Sequence, residues 1–188
     1  MLSVPSLAMA QEPIRGRPII GLRSYWLHPV KAAGGLGADP VEATETIGVQ
    51  PYVDWQFTDV FAVGVGVPMT ANSPGPDSNG YDIGVASRIR LGYPKYESVY
   101  PYVVASMGPT WLRVPQKVSL RGLYLSANAG VSFKLTHVLS FIVELGYQYT
   151  SFSGNMPISD ATSPPSPIYY GTARVSFLSA GGGLEVRL

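Results

Sequence analysis

At 188 residues the chain has room for one domain of ordinary size, and a formal charge of +1 excludes a strongly basic nucleic-acid binder. Charged residues supply only 13% of the chain against 46% hydrophobic, roughly half the charged share of an ordinary soluble surface. Cysteine is absent, which excludes disulfide staples, thiolate nucleophiles and cysteine-based zinc or iron–sulfur sites.

The 21 glycines and 17 prolines interrupt every apolar stretch well short of the roughly 18 residues that a membrane-spanning helix needs. Ala8-Met9-Ala10 before Gln11 has the small-x-small form of a signal-peptidase site. Residues 1–17 therefore read as an N-terminal segment carrying the remnant of an export signal, and residues 18–188 as a single domain.

Along the rest of the chain the dominant signal is a period of two, the repeat of a strand whose side chains point alternately to opposite faces. Pro18 to His28 sets Ile20, Leu22 and Trp26 against Arg23 and Tyr25, and a glycine-rich link follows. From residue 47 to 57, Ile47, Val49, Val53, Trp55 and Phe57 oppose Gly48, Gln50, Tyr52, Asp54 and Gln56. After a tight link at 58–59, Phe61, Val63, Val65, Val67 and Met69 oppose Ala62, Gly64 and Gly66. A fourth strand near 81–91 places Ile83, Val85 and Ile89 opposite Asp82, Arg88 and Arg90. The fifth, Val99 to Trp111, carries Val103 and Met107 on its apolar side. The sixth, Leu123 to Leu135, sets Leu125, Val131 and Phe133 against Tyr124, Ser126, Asn128 and Lys134. In the seventh, Phe141, Val143, Leu145 and Tyr147 oppose Glu144, Gly146 and Gln148. The last strand reads differently, with Ala173, Val175 and Phe177 against Arg174 and Ser176. Beyond Gly181-Gly182-Gly183 the alternation resumes in the opposite phase, so either a bulge sits at the glycines or the strand ends before them.

The links alternate in length. Those at 29–41, 70–80, 112–121 and 150–167 are long, and those at 58–59, 92–98 and 136–138 are short, as in a barrel with long loops on one side of a membrane and short turns on the other. The charge-free face then meets lipid, and the face rich in Gly, Ser, Asn and Gln fills a narrow tube. The expected fold is all-β: a transmembrane antiparallel up-and-down β-barrel of about eight strands. Trp26, Trp55, Phe57, Tyr81, Trp111, Tyr147 and Tyr149 are expected at the headgroup levels. On this reading arginine at Val65 or Val143 costs a few kcal/mol and impairs assembly, whereas serine at Gly64 is milder.

The polar face sends Arg23, Asp54, Asp82, Arg88, Arg90, Lys134, Glu144 and Arg174 toward the interior, together with Glu45, Glu185 and Arg187. Charges in so narrow a space must be paired. The expectation is a structural ion-pair network, with Glu144 one strand from Lys134. The alternative is a narrow pore for ions or small solutes. A lipid-modifying hydrolase is a third reading, and it rests on Ser24 and His28, the only serine–histidine pair that the pattern brings near one another. No catalytic, cofactor-binding or metal-binding residue is assigned, no cofactor is expected, and enzymatic activity is not expected.

Three segments carry a resemblance: Gly48 to Val67, Tyr100-Pro101-Tyr102-Val103, and Leu139 to Tyr147. They resemble the hairpins of the small outer-membrane β-barrel proteins of Gram-negative bacteria, the porin-like, OmpA-type eight-stranded barrels. The resemblance implies residence in the bacterial outer membrane, contact with its lipids, and insertion by the outer-membrane assembly machinery. Leu188 stands where that family ends in an aromatic residue. Members have structural, adhesive and host-interaction roles. The expected role here is structural or surface interaction, by a monomer whose long loops meet a ligand or protein, with no nucleic-acid partner.

Overall fold

The computed structural model describes residues 16–36, 39–40, 43–75, 78–93, 98–114, 118–157 and 168–188. Most of the expected signal remnant, residues 1–15, and the centre of the last long link, 158–167, lie outside the described residues. The described strand segments are β1 (Arg17–Leu36), β2 (Asp39–Pro40), β3 (Thr46–Gln56), β4 (Phe61–Gly66), β5 (Met69–Gly75), β6 (Ser78–Gly84), β7 (Ala86–Gly92), β8 (Val99–Val114), β9 (Val118–Lys134), β10 (Leu139–Pro157) and β11 (Ile168–Arg187). All belong to one antiparallel sheet. The ladder returns on itself, because β1 pairs with β11 along one edge and with β3 along the other. The fold is an all-β antiparallel barrel.

Two interruptions separate β4 from β5 and β6 from β7, yet the hydrogen bonding runs through both. Val67 N donates to Pro51 O at 3.0 Å, Gly84 N to Pro68 O at 2.8 Å, and Val85 N to Pro109 O at 3.0 Å. Pro68 has no N–H to give, which ends the regular ladder locally without moving the chain out of register.

Burial alternates along each strand, but its sense is the reverse of a soluble protein. Ile47, Val65 and Leu145 are 66%, 56% and 64% exposed, while Gln50, Asp54 and Arg88 are 0% exposed. In water such a wall would forfeit roughly 25 cal/mol for every Å² of apolar surface left outside. In hydrocarbon it costs nothing, while an unpaired backbone amide costs several kcal/mol, so a returning ladder with an apolar exterior suits a lipid solvent. Trp26, Trp55, Phe57, Tyr81 and Tyr147 lie on this outer surface.

The last strand departs from expectation. β11 keeps one register against β10 from Pro157–Ile168 to Leu139–Val186, straight through Gly181–Gly183. There is no bulge at the glycines and the strand does not end before them. Instead Ala173, Val175 and Phe177 point inward, where Val175 and Phe177 pack with Tyr25 and Leu27 in a buried cluster at the loop-side end of the lumen. The irregularity lies on the partner strand, between Pro29 and Lys31 of β1. The alternation misleads here because this end of the lumen is itself apolar.

The long links are also shorter than expected. Strand pairing continues through 29–36, 69–75, 78–84, 112–114, 118–121 and 150–157. Pro, Gly and Ser suggest loop, but a two-stranded ribbon projecting beyond the membrane needs no apolar face to keep its backbone hydrogen bonds.

Glycines opposite tyrosines shape the interior. Gly21 is the direct partner of Tyr52 and Gly48 that of Tyr25. A Cβ at Gly21 would lie 2.2 Å from the Tyr52 ring and one at Gly48 would lie 2.4 Å from the Tyr25 ring. Each ring thus lies over a neighbouring glycine. Gly21→Ala should destabilise the fold by about 1–3 kcal/mol through overpacking. In a double-mutant cycle with Tyr52→Ala most of that cost should disappear, and two purely additive effects would refute the pairing. Gly64 corrects a second expectation: a Cβ there would meet Val53 O at 2.1 Å and Asp54 Oδ1 at 2.3 Å. Serine at this position forces backbone apart and is not mild.

Candidate functional site in the barrel lumen

The inward positions assemble three charged groups joined by tyrosines. Nearest the loop side, Arg23 on β1 pairs with Glu144 on β10 and also reaches the Tyr124 hydroxyl at 3.5 Å. Tyr102 donates its hydroxyl proton to the other Glu144 oxygen at 2.8 Å. In the second group Arg90 on β7 pairs with Glu185 on β11. Glu185 also accepts from the Tyr52 hydroxyl at 2.6 Å and from Ser132 at 3.3 Å. In the third, Arg88 donates to both Asp54 oxygens, at 2.9 and 3.3 Å, and to Gln50 Oε1 at 3.5 Å.

Aromatic faces link these groups. The Arg90 guanidinium lies 3.6 Å from the Tyr102 ring centre, and that of Arg88 lies 4.0 Å from the Tyr52 ring centre. Tyr102 thereby touches the first and second groups, and Tyr52 the second and third. Arg187 stacks 5.2 Å from Tyr100 near the short-turn end. Charge is balanced within each pair, as burial of ions at 5% exposure or less requires. The cavity beside Arg23, Glu144, Asn128 and Ile142 holds about 10 Å³, space for about one water. The pocket beside Arg90, Tyr100 and Arg187 has about 0 Å³.

Of the expected interior residues, Arg23, Asp54, Asp82, Arg88, Arg90 and Glu144 are buried, as is Glu185. Lys134 and Arg174 are not. Lys134 keeps the inward phase but stands at the last turn of the wall, where water reaches it. Arg174 points outward, because its buried neighbours Ala173 and Val175 take the inward positions. Glu45 is exposed too, and its Oε1 lies 3.0 Å from His28 Nδ1 on the outer rim. Glu144 pairs across the lumen with Arg23 and not with Lys134. Of the uncharged members, alternation marks Gln50, Tyr52 and Tyr124 as sharing the charged face; Tyr102, on a strand with no inward charge, is placed only by the fold.

Ser24 and His28 both face outward, four residues apart on one strand, which separates them by about 13 Å. That is far beyond hydrogen-bond reach, so the serine–histidine pair of the hydrolase reading does not form.

No protein-family model matches the chain, and no curated protein sequence matches it. Among solved structures it is similar to the Neisserial surface protein A, with a TM-score of 0.60 and 15% identity over 92% of this chain and 97% of that one. It is equally similar to the outer-membrane protein OprG from Pseudomonas aeruginosa, with a TM-score of 0.62 and 13% identity over 93% and 96% of the two chains. The chain has the fold of the small outer-membrane β-barrels. Both comparisons run nearly end to end, so the likeness covers the whole wall. The apolar exterior suits this fold to a lipid surrounding.

Proposed function

We propose that this chain is a single-domain, closed, eight-stranded transmembrane barrel with a structural or surface-interaction role. On this reading β4 with β5 and β6 with β7 each act as one strand, and β2 is a minor bridge on the first hairpin. The observation that carries it is the filled lumen: three ion pairs, bridging tyrosines and cavities of about 10 and about 0 Å³ support a rigid plugged scaffold over a conduit. The scaffold raises hairpins well past the apolar wall, and a rigid base with projecting ribbons suits contact with a partner outside the cell. The assembly machinery and a ligand or protein at the hairpin tips are part of the proposal, as is a monomeric state.

The purified barrel in a planar bilayer should show no stable, reproducible conductance. Steady channel steps whose size changes in Arg88→Gln or Glu144→Gln would overturn the plugged scaffold in favour of a narrow pore. Trimming the hairpin tips should abolish capture of a surface partner while leaving the folded barrel's gel mobility intact.

A further inference from the structure

The outer rim is not electrically uniform. Arg113 on β8, Arg121 on β9 and Arg174 on β11 are exposed and point away from the lumen. Among the described residues no ion pair engages any of them. The registers step them along the rim, with Arg113 two residues nearer the hairpin tips than Arg121 and Arg174 two residues nearer the wall. Arg121 is opposite Trp111 and Arg113 lies two residues beyond that tryptophan, while Arg174 is opposite Ser151, two residues beyond Tyr149. Arg113 is opposite the exposed Tyr81 and Arg121 is opposite Trp111, so these two stand among the outward aromatic residues of the wall, at headgroup height. Arg121 and Arg174 flank β10 through Ser153 and Ser151, which sets their Cα atoms about 12 Å apart. The only carboxylates among the described residues of β8 to β11 are Glu144 and Glu185, and both are buried in the lumen. Among the described residues of these strands no outward carboxylate offsets the three arginines.

Toward the short-turn side the outer face of the same strands is hollowed. Ala105 pairs with Ala127, and Ala127 and Ala129 face Tyr147 and Leu145 across the next ladder. These small residues form the floor of an outward apolar depression of about 860 Å³, edged by Trp26, Leu145, Tyr147 and Leu178. Ala127 is six residues from Arg121, roughly 20 Å along the strand. A convex barrel wall meeting featureless lipid gains nothing from such a hollow, and alanines there give up apolar contact that larger residues would make.

We propose that this sector binds one membrane lipid with a phosphate headgroup, its phosphate held by Arg113, Arg121 and Arg174 and an acyl chain lying in the alanine-floored hollow. Guanidinium groups bind phosphate oxygens through two parallel N–H bonds, stronger and more directional than lysine contacts. The charge alone would accept free phosphate, and the hollow alone would accept any acyl chain. Their placement on the same strands selects a molecule that carries both.

The test uses the full folded chain in detergent micelles, with lipid retention read by native mass spectrometry. Dioleoyl phosphatidic acid should be retained at one per barrel, and at least tenfold more strongly than dioleoyl phosphatidylcholine. The triple variant Arg113→Gln, Arg121→Gln, Arg174→Gln should lose that preference, while the triple lysine variant should keep part of it. Ala127→Phe should weaken retention at unchanged charge, and inorganic phosphate at millimolar concentration should not compete. The gel-mobility shift on heating reports folding, and because all three arginines are exposed the variants are expected to fold. Equal retention by the glutamine variant, or equal retention of phosphatidylcholine, would overturn the proposal. Displacement by inorganic phosphate would reduce it to a site for free anions.

Discussion

Glu185→Leu is expected to be among the most damaging single changes in this protein, at about 3–5 kcal/mol, the usual cost of stranding one partner of a buried ion pair. Glu185 is 0% exposed and accepts hydrogen bonds from Arg90, Tyr52 and Ser132, so its loss leaves a guanidinium and a phenol without their acceptor inside the wall. Folded fraction in lipid vesicles across a urea series, read by gel mobility without boiling, measures the loss. The paired variant Arg90→Met with Glu185→Leu should recover most of it, since a buried pair replaced by apolar residues of similar volume is often neutral. A Glu185→Leu barrel as stable as the parent would show that the network does not hold the lumen together.

Leu145→Arg should cost about 2–4 kcal/mol, the range for a cation facing lipid near the membrane midplane. Leu145 is 64% exposed and lies midway along β10 between the short turn and the aromatic rim. Val65→Arg, on the opposite side of the barrel at 56% exposure, should behave alike. Leu145→Met keeps the volume and should be nearly neutral. Arginine tolerated at Leu145 as well as methionine is tolerated there would mean that this face does not meet hydrocarbon.

These two experiments probe opposite faces, and the faces differ in how far sequence could describe them. Along 47–57, 61–69, 81–91, 123–135 and 139–149, strict alternation suffices to predict which residues meet lipid, because a period of two is a local property of an extended chain. Alternation also marks Arg23, Asp54, Arg88, Arg90 and Glu144 as inward. It fails on β11, where Val175 and Phe177 face the lumen: hydrophobicity reports the outer surface only while the interior is polar, and at the loop-side end it is not. It fails again at the mouth, where Lys134 has the inward phase but reaches water.

Partners lie outside what a single chain can state. Arg23 meets Glu144 across a separation of 121 residues, and Arg90 meets Glu185 across 95. Those encounters depend on the stagger accumulated as each strand slides against the next around the wall, a quantity written in no one strand. The tolerance of Gly64 belongs to the same class, since the obstacle is the backbone of β3 and not a neighbour in sequence. Sequence determined the two faces because side-chain direction follows from local backbone geometry. The returning ladder determined the pairings, because only strands brought round upon one another set distant inward residues within a few ångströms.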